Sequence, residues 1–314
     1  MINLKKIILS FITVLVAGGV VIAGTNAFFS DTEESKGNVL AAGAIDLGVD
    51  NHSYYNGLLN PGTTWRVDYD LDPLLGDDPS TPNVVETDFV IEPGRLFFDF
   101  HDLKPGDWGE DTISLHVKDN DSWLCADVTL TSDDDNGLTE PEGDDGDITP
   151  GPLGEGELAD HVNFYWWADD GDNVFECVEE ETPEGIVCNP RAEGSEHLLP
   201  AGPIGALNVG ETAHVALADS LTNIWGDQGP LPGGEVRFVA KAWCFGTTEM
   251  TPYPQDGGNQ QSGPDDRPVL CDGSAETNVT QTDSLTADIA FRAVQSRHND
   301  KFLCRPELAP PTGP

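Results

Sequence analysis

Positive charge is what this chain has least of. Only 15 of its 314 residues are Lys or Arg, against 56 Asp or Glu, and the formal net charge is −41. A surface of that sign repels nucleic acid and anionic lipid head groups, so neither is expected as a partner. The usual catalytic strings are missing too. The seven histidines, His52, His101, His116, His161, His197, His214 and His298, are scattered. They form no H-E-x-x-H and no i, i+4 pair that would chelate zinc from one helix. No G-x-S-x-G occurs. The absence of C-x-x-C makes zinc and thioredoxin-like chemistry poor fits. Carboxylates are too abundant for any pair to stand out as acid and base. There is no internal repeat, and no second long apolar run follows the first. These absences together point away from an enzyme.

The one long apolar run reads as an export signal. Lys5 and Lys6 form its basic start, Ile7 to Ala23 its apolar stretch, and Thr25-Asn26-Ala27 a small-residue cleavage site, with the cut between Ala27 and Phe28. A retained anchor is the alternative, because the run approaches the ~18–20 residues that span a bilayer. The Gly18-Gly19 break, Gly24 and the Thr-x-Ala flank favour cleavage. Contact with a membrane is then made only through the uncleaved signal. Cleavage removes two lysines and no acid, leaving 13 cationic against 56 acidic residues, a net −43. Such a chain needs counterions, whether salt, divalent cations or both.

Six cysteines in an exported chain imply three disulfides, although six allow 15 pairings. Cys177 and Cys188 flank an acidic loop and would close it. Cys244 ends one strand and Cys271 begins another across TTEMTPYPQDGGNQQSGPDD. That leaves Cys125 with Cys304, tying an early strand to the end of the chain.

Short alternating segments dominate the rest. Ala44–Val49, Asp111–Val117, Trp123–Thr131, Val162–Trp167, Glu211–Ala218, Glu235–Phe245 and Ser284–Gln295 read as strands, as does RLFFDFH from Arg95 to His101. The 34 Gly and 23 Pro place much of the remainder in turns. Asn51–Pro93 reads as a loop-rich insertion with one hairpin, Glu176–Asn208 as loop, and Asp133–Asp147 as a solvated acidic face. With 38% hydrophobic residues, 13 Phe and 7 Trp, a core can be filled. The expected fold is all-β, a jelly-roll-like β-sandwich with long acidic loops behind a cleaved N-terminal signal helix. Its divisions are a signal at 1–27, an N-terminal segment at 28–43, one sandwich domain at 44–307 and a tail at 308–314.

Several strings together carry a family resemblance. They are Gly24-Thr25-Asn26-Ala27, Phe28-Phe29-Ser30-Asp31 and Ala42-Gly43-Ala44-Ile45-Asp46-Leu47. The turn Leu103-Lys104-Pro105-Gly106-Asp107 and the runs Trp225–Gly234, Lys241–Gly246 and Gln281–Arg297 extend them. In order and spacing these resemble the TasA/camelysin family, exported fibre-forming proteins processed by a SipW-type signal peptidase. The resemblance implies a secreted subunit of an extracellular filament or biofilm matrix, located outside the cell or at its surface, whose partner is another copy of itself. It also implies donor-strand exchange. The segment from Phe28 to about Asn38 would add to the next subunit's sheet, with Phe28 and Phe29 filling apolar slots. Because camelysin is described as a metalloprotease, a secreted metalloprotease is one rival.

The other rival is a monomeric binding module. Asp169, Asp170, Asp172, Asn173 and Glu176 gather hard oxygen ligands in a tight turn, a candidate calcium site, although the spacing is not that of an EF-hand. Trp166-Trp167 would suit a sugar platform. Adjacent residues on a strand point to opposite faces, however, so at least one ring belongs to the core.

Overall fold

The computed structural model describes residues 30–34, 46–65, 96–147, 156–254 and 269–305, apart from positions 119, 184, 190–191, 193–194 and 227. The signal segment, the Ala27–Phe28 junction, Phe28, Phe29 and positions 66–93 of the insertion expected at Asn51–Pro93 lie outside the described residues, while the start of that insertion, 51–55 and 58–59, is strand.

Among the described residues fifteen strands make the fold. In chain order they are β1 (Ser30–Glu34), β2 (Leu47–Tyr55), β3 (Leu58–Leu59), β4 (Trp108–Val117), β5 (Ser122–Asp134), β6 (Val162–Asp169), β7 (Glu176–Thr182) and β8 (Gly185–Asn189). There follow β9 (Gly202–Pro203), β10 (Thr212–Ala218), β11 (Glu235–Phe245), β12 (Thr247–Met250), β13 (Tyr253–Pro254), β14 (Val269–Asp272) and β15 (Ser284–Gln295). Period-two alternation decides which faces are inside. In β4, Ile113, Leu115 and Val117 are fully buried while Thr112, Ser114 and His116 lie on the other face. β15 buries Ile289, Phe291 and Ala293 in the same way.

Two antiparallel sheets stack on these faces. One has the order β1-β15-β5-β10, the other β3-β2-β4-β11-β6-β9. Leu124, Ala126, Leu217, Ile289 and Phe291 of the first meet Leu47, Val49, Ile113, Leu115 and Val239 of the second in one core. The chain is thus an all-β sandwich. Each such side chain removed from water contributes about 1.5–3 kcal/mol.

β11 is buried on both faces from Val239 to Phe245. Its second face is covered by the β12–β14 ribbon, through Met250 and Val269, and by Phe175 just ahead of β7, packed against Ala240, Ala242 and Trp167. The tryptophan pair divides as strand geometry requires. Trp167 has no exposure and packs on Phe175, ring centroids 6.1 Å apart, while Trp166 leans on the main core. The two rings therefore form no shared platform.

Disulfides join Cys125 to Cys304, Cys177 to Cys188 and Cys244 to Cys271, with Cα atoms 5.6, 5.5 and 5.5 Å apart. The first fastens the end of the described chain to β5. The second closes the β7–β8 hairpin, which occupies part of the stretch that reads as loop in the sequence. The RLFFDFH run is no strand over its described residues, 96–101. It crosses the sandwich irregularly, and its aromatics act as plugs: Phe97 sits in the main core, and Phe100 stacks near Tyr55 and Trp243.

The core also holds polar groups. On the inner face of β11, Lys241 has no exposure and its Nζ lies 2.8 Å from Asp111 Oδ2 on β4. Asn51 Nδ2 of β2 donates to Asp111 Oδ1 at 3.0 Å and to the Thr63 carbonyl at 2.7 Å. The Phe98 ring caps the ammonium, with its centroid 3.7 Å from Nζ. Deleting one member of such a pair strands a charge in the core, which costs about 3–5 kcal/mol.

Candidate functional site

The N-terminal segment contributes an edge strand. β1 pairs antiparallel with β15, Ser30 opposite Val294 through to Glu34 opposite Ala290. β15 pairs on its other side with β5, Ser284 opposite Asp134 through to Gln295 opposite Ser122. Without β1, β15 would be an open edge presenting a row of unpaired backbone groups.

The Lys104–Asp107 turn braces the opposite sheet. The Asp107 N–H donates to the Lys104 carbonyl at 2.8 Å, and Gly106, at φ +89°, takes the left-handed position that follows Pro in a type II turn. The Asp107 carboxylate then collects three donors: the Tyr55 hydroxyl at 2.6 Å, Asn56 Nδ2 at 2.9 Å and the Lys104 N–H at 2.8 Å. Burial and this carboxylate hold the Tyr55 phenol well above its ordinary pKa.

The acidic turn after β6 folds around its own carboxylates. Asp169 Oδ2 accepts the Gly171 and Asn173 N–H groups at 2.9 and 3.2 Å, and Asp172 Oδ1 accepts that of Val174 at 2.9 Å. Asp169, Asn173 and Glu176 are buried, Asp170 is exposed and Asp172 is half-buried. Neither amide atom of Asn173 has a hydrogen-bond partner among the described residues. Glu196, which the sequence did not single out, joins this group by accepting the Glu176 N–H at 2.8 Å. Burial, reinforced by neighbouring carboxylates, raises Asp169 to about 7 and Glu196 to about 10. As the side chains stand, no three His, Cys, Asp or Glu among the described residues converge closely enough to hold a metal ion.

The Asp133–Asp147 stretch departs from the solvated face expected of it. It contains a helix, Glu140–Asp145, begun by a capping box in which Thr139 and Glu142 exchange hydrogen bonds. Glu142 has no exposure, and Asp135 and Asp147 have 9% each. Burial raises Asp133 to about 6 and Glu157 to about 7, with Asp160, Asp283 and Asp147 adding repulsion.

Four histidines each meet one carboxylate. His116 pairs with Asp50, His214 with Asp127, His161 with Glu276 and His101 with Asp99, on separate elements. The scatter seen in the sequence persists in space among the described residues.

The family model described as camelysin metallo-endopeptidase matches residues 3–73. That span contains the G-T-N-A, F-F-S-D and A-G-A-I-D-L strings, and the match supports the TasA/camelysin resemblance in this part of the chain. No curated protein and no solved structure matches the chain. No helix among the described residues is long and apolar enough to cross a membrane.

Proposed function

We propose that the chain is an exported structural subunit that assembles head to tail outside the cell by donor-strand exchange. The observation that carries this reading is the pairing of β1 with β15. A segment at the N-terminus of the mature chain adds as a strand to the edge of the sandwich, and the slot it fills within one chain is the slot a neighbour's segment would take. Phe28 and Phe29 then serve as its apolar anchors, and cleavage by a SipW-type peptidase after Ala27 frees the donor. A contact of this kind does not close on itself, so it propagates as a filament. The family match at residues 3–73 supports the same reading.

The test is removal of residues 28–41 from the mature protein, followed by sedimentation and negative-stain microscopy. A folded monomer is the expected product. Filaments persisting after truncation would overturn strand exchange. The name of the matched family favours a second reading, a secreted metallo-endopeptidase, which a chelator-sensitive casein assay checks. Calcium is proposed as an accessory ion at the Asp169–Glu176 turn, favoured by the unpartnered Asn173 amide beside buried carboxylates.

A further inference from the structure

Three side chains in the core stand in an arrangement that ordinary packing does not require. Lys241 of β11, Asp111 of β4 and Asn51 of β2 lie on three neighbouring strands. The ladders place Lys241 directly opposite Asp111, and Ser53, two residues beyond Asn51, opposite Asp111 on its other side. All three therefore share the inner face of the sheet. Asp111 bridges the other two, with Oδ2 2.8 Å from the Lys241 amine and Oδ1 3.0 Å from the Asn51 amide nitrogen. The orientation of that amide is fixed by its partners. Nδ2 faces two acceptors, Asp111 Oδ1 and the Thr63 carbonyl, so Oδ1 is the other atom, and it is buried with no donor among the described residues.

The surroundings suit an amine nucleophile. None of the three residues exceeds 1% exposure, and the Phe98 ring closes over the amine. Desolvation lowers the Lys241 pKa, with Asp111 opposing it, and so favours the neutral amine, beside which the Asp111 carboxyl stands 2.8 Å away. A neutral amine, an amide carbonyl and a carboxyl group touching both nitrogens are the reactants of an amide transfer, held together by the fold.

We propose that Lys241 and Asn51 become joined by an intramolecular isopeptide bond, with Asp111 relaying the proton between their nitrogens. The Lys241 Nζ lone pair forms a bond to Asn51 Cγ, and the carbonyl electrons move onto Oδ1. Asp111 gives its proton to Nδ2 and takes one from Nζ. As the carbonyl re-forms, the Cγ–Nδ2 bond breaks and ammonia leaves. One amine and one primary amide thus become one secondary amide and ammonia, with no oxidant or cofactor. The product ties β2 to β11 across β4 and removes the buried ammonium.

A tryptic map of the purified, reduced and alkylated mature protein tests this. The expected result is a branched peptide joining residues 37–66 to residues 238–292, because the Arg267-Pro268 bond resists trypsin, uncut after Lys241 and lighter than its two parts by one ammonia. Recovery of 37–66 and 238–241 as separate peptides at their sequence masses would overturn the proposal. A branch between Lys241 and Asp111, lighter by one water, would overturn the assignment of Asn51. Asp111→Ala should abolish the branch while both partners remain, and a branch persisting in that variant would remove Asp111 from the reaction. If that variant does not fold, the map of the unaltered protein still decides.

Discussion

Gly109 lies against the Trp243 indole across the β4–β11 ladder, where a Cβ would stand 2.3 Å from Trp243 Nε1. Trp243 in turn stacks on Tyr55 and Phe100, with ring centroids 6.0 and 4.8 Å away. The ring cannot retreat without disturbing both neighbours. Gly109→Ala is therefore expected to lower stability by about 1–3 kcal/mol, the usual range for overpacking. Chemical denaturation followed by tryptophan fluorescence checks it, and an unchanged midpoint would mean the indole has room to move.

The Cys125–Cys304 bridge closes the longest loop, separating residues 179 apart in sequence. Long loops lose most entropy in the unfolded chain when closed, so a Cys125→Ser, Cys304→Ser pair should cost about 2–5 kcal/mol. The Cys177–Cys188 bridge spans only 11 residues, and its removal is expected to cost less. Thermal midpoints of the two double variants rank them. In the unaltered protein, alkylation without reductant should modify no cysteine.

Acidity should stabilise this protein over a defined window. Asp133 titrates at about 6, and Glu157 and Asp169 at about 7, all above the ordinary carboxylate range of about 4. In that interval the folded chain binds protons that the unfolded chain has released, so stability declines as pH rises. The decline should begin near pH 4 and extend through about 7, with Glu196 prolonging it. Asp169→Asn should flatten the curve. A stability that climbs from pH 4 to 7 would contradict the assignment.

Ions bear on the same groups. Salt screens the −41 of the chain over about 8–10 Å, so sodium chloride should raise the thermal midpoint and favour self-association. Calcium should exceed sodium at matched ionic strength, and Asp169→Asn should erase the excess. Equal effects of the two salts would leave screening alone.

How far the sequence carried depended on whether a segment's pattern answered to one surface. β4 and β15 alternate cleanly, because each buries one face, and both were legible. The Pro105-Gly106 turn was legible for the same local reason, as Gly106 needs positive φ. RLFFDFH was misleading. Its aromatics suit a strand, but several of them fill gaps between elements already present. The β7–β8 hairpin is hard to read because ECVEEET has little apolar alternation, and Cys177–Cys188 is what ties its two strands covalently. Thr139-Glu140-Pro141-Glu142 is a capping-box string, a signal that could have located the helix in the acidic loop. Lys241 had one as well. A lone lysine inside the apolar run FVAKAWCF needs a buried partner, but no local rule says that the partners are Asp111 and Asn51, distant in sequence.

The β1–β15 ladder has a mechanical side. Its hydrogen bonds run across the strands, so a pull along the chain direction of β1 is carried by the whole ladder in parallel and not peeled one bond at a time. The strand that receives the load, β15, lies against β5, and the Cys125–Cys304 bridge ties the chain beyond β15 to that same strand. Tension arriving at the edge is thereby passed into a covalently closed loop. In a filament joined this way, the junctions would let go by sliding before the subunits unravel.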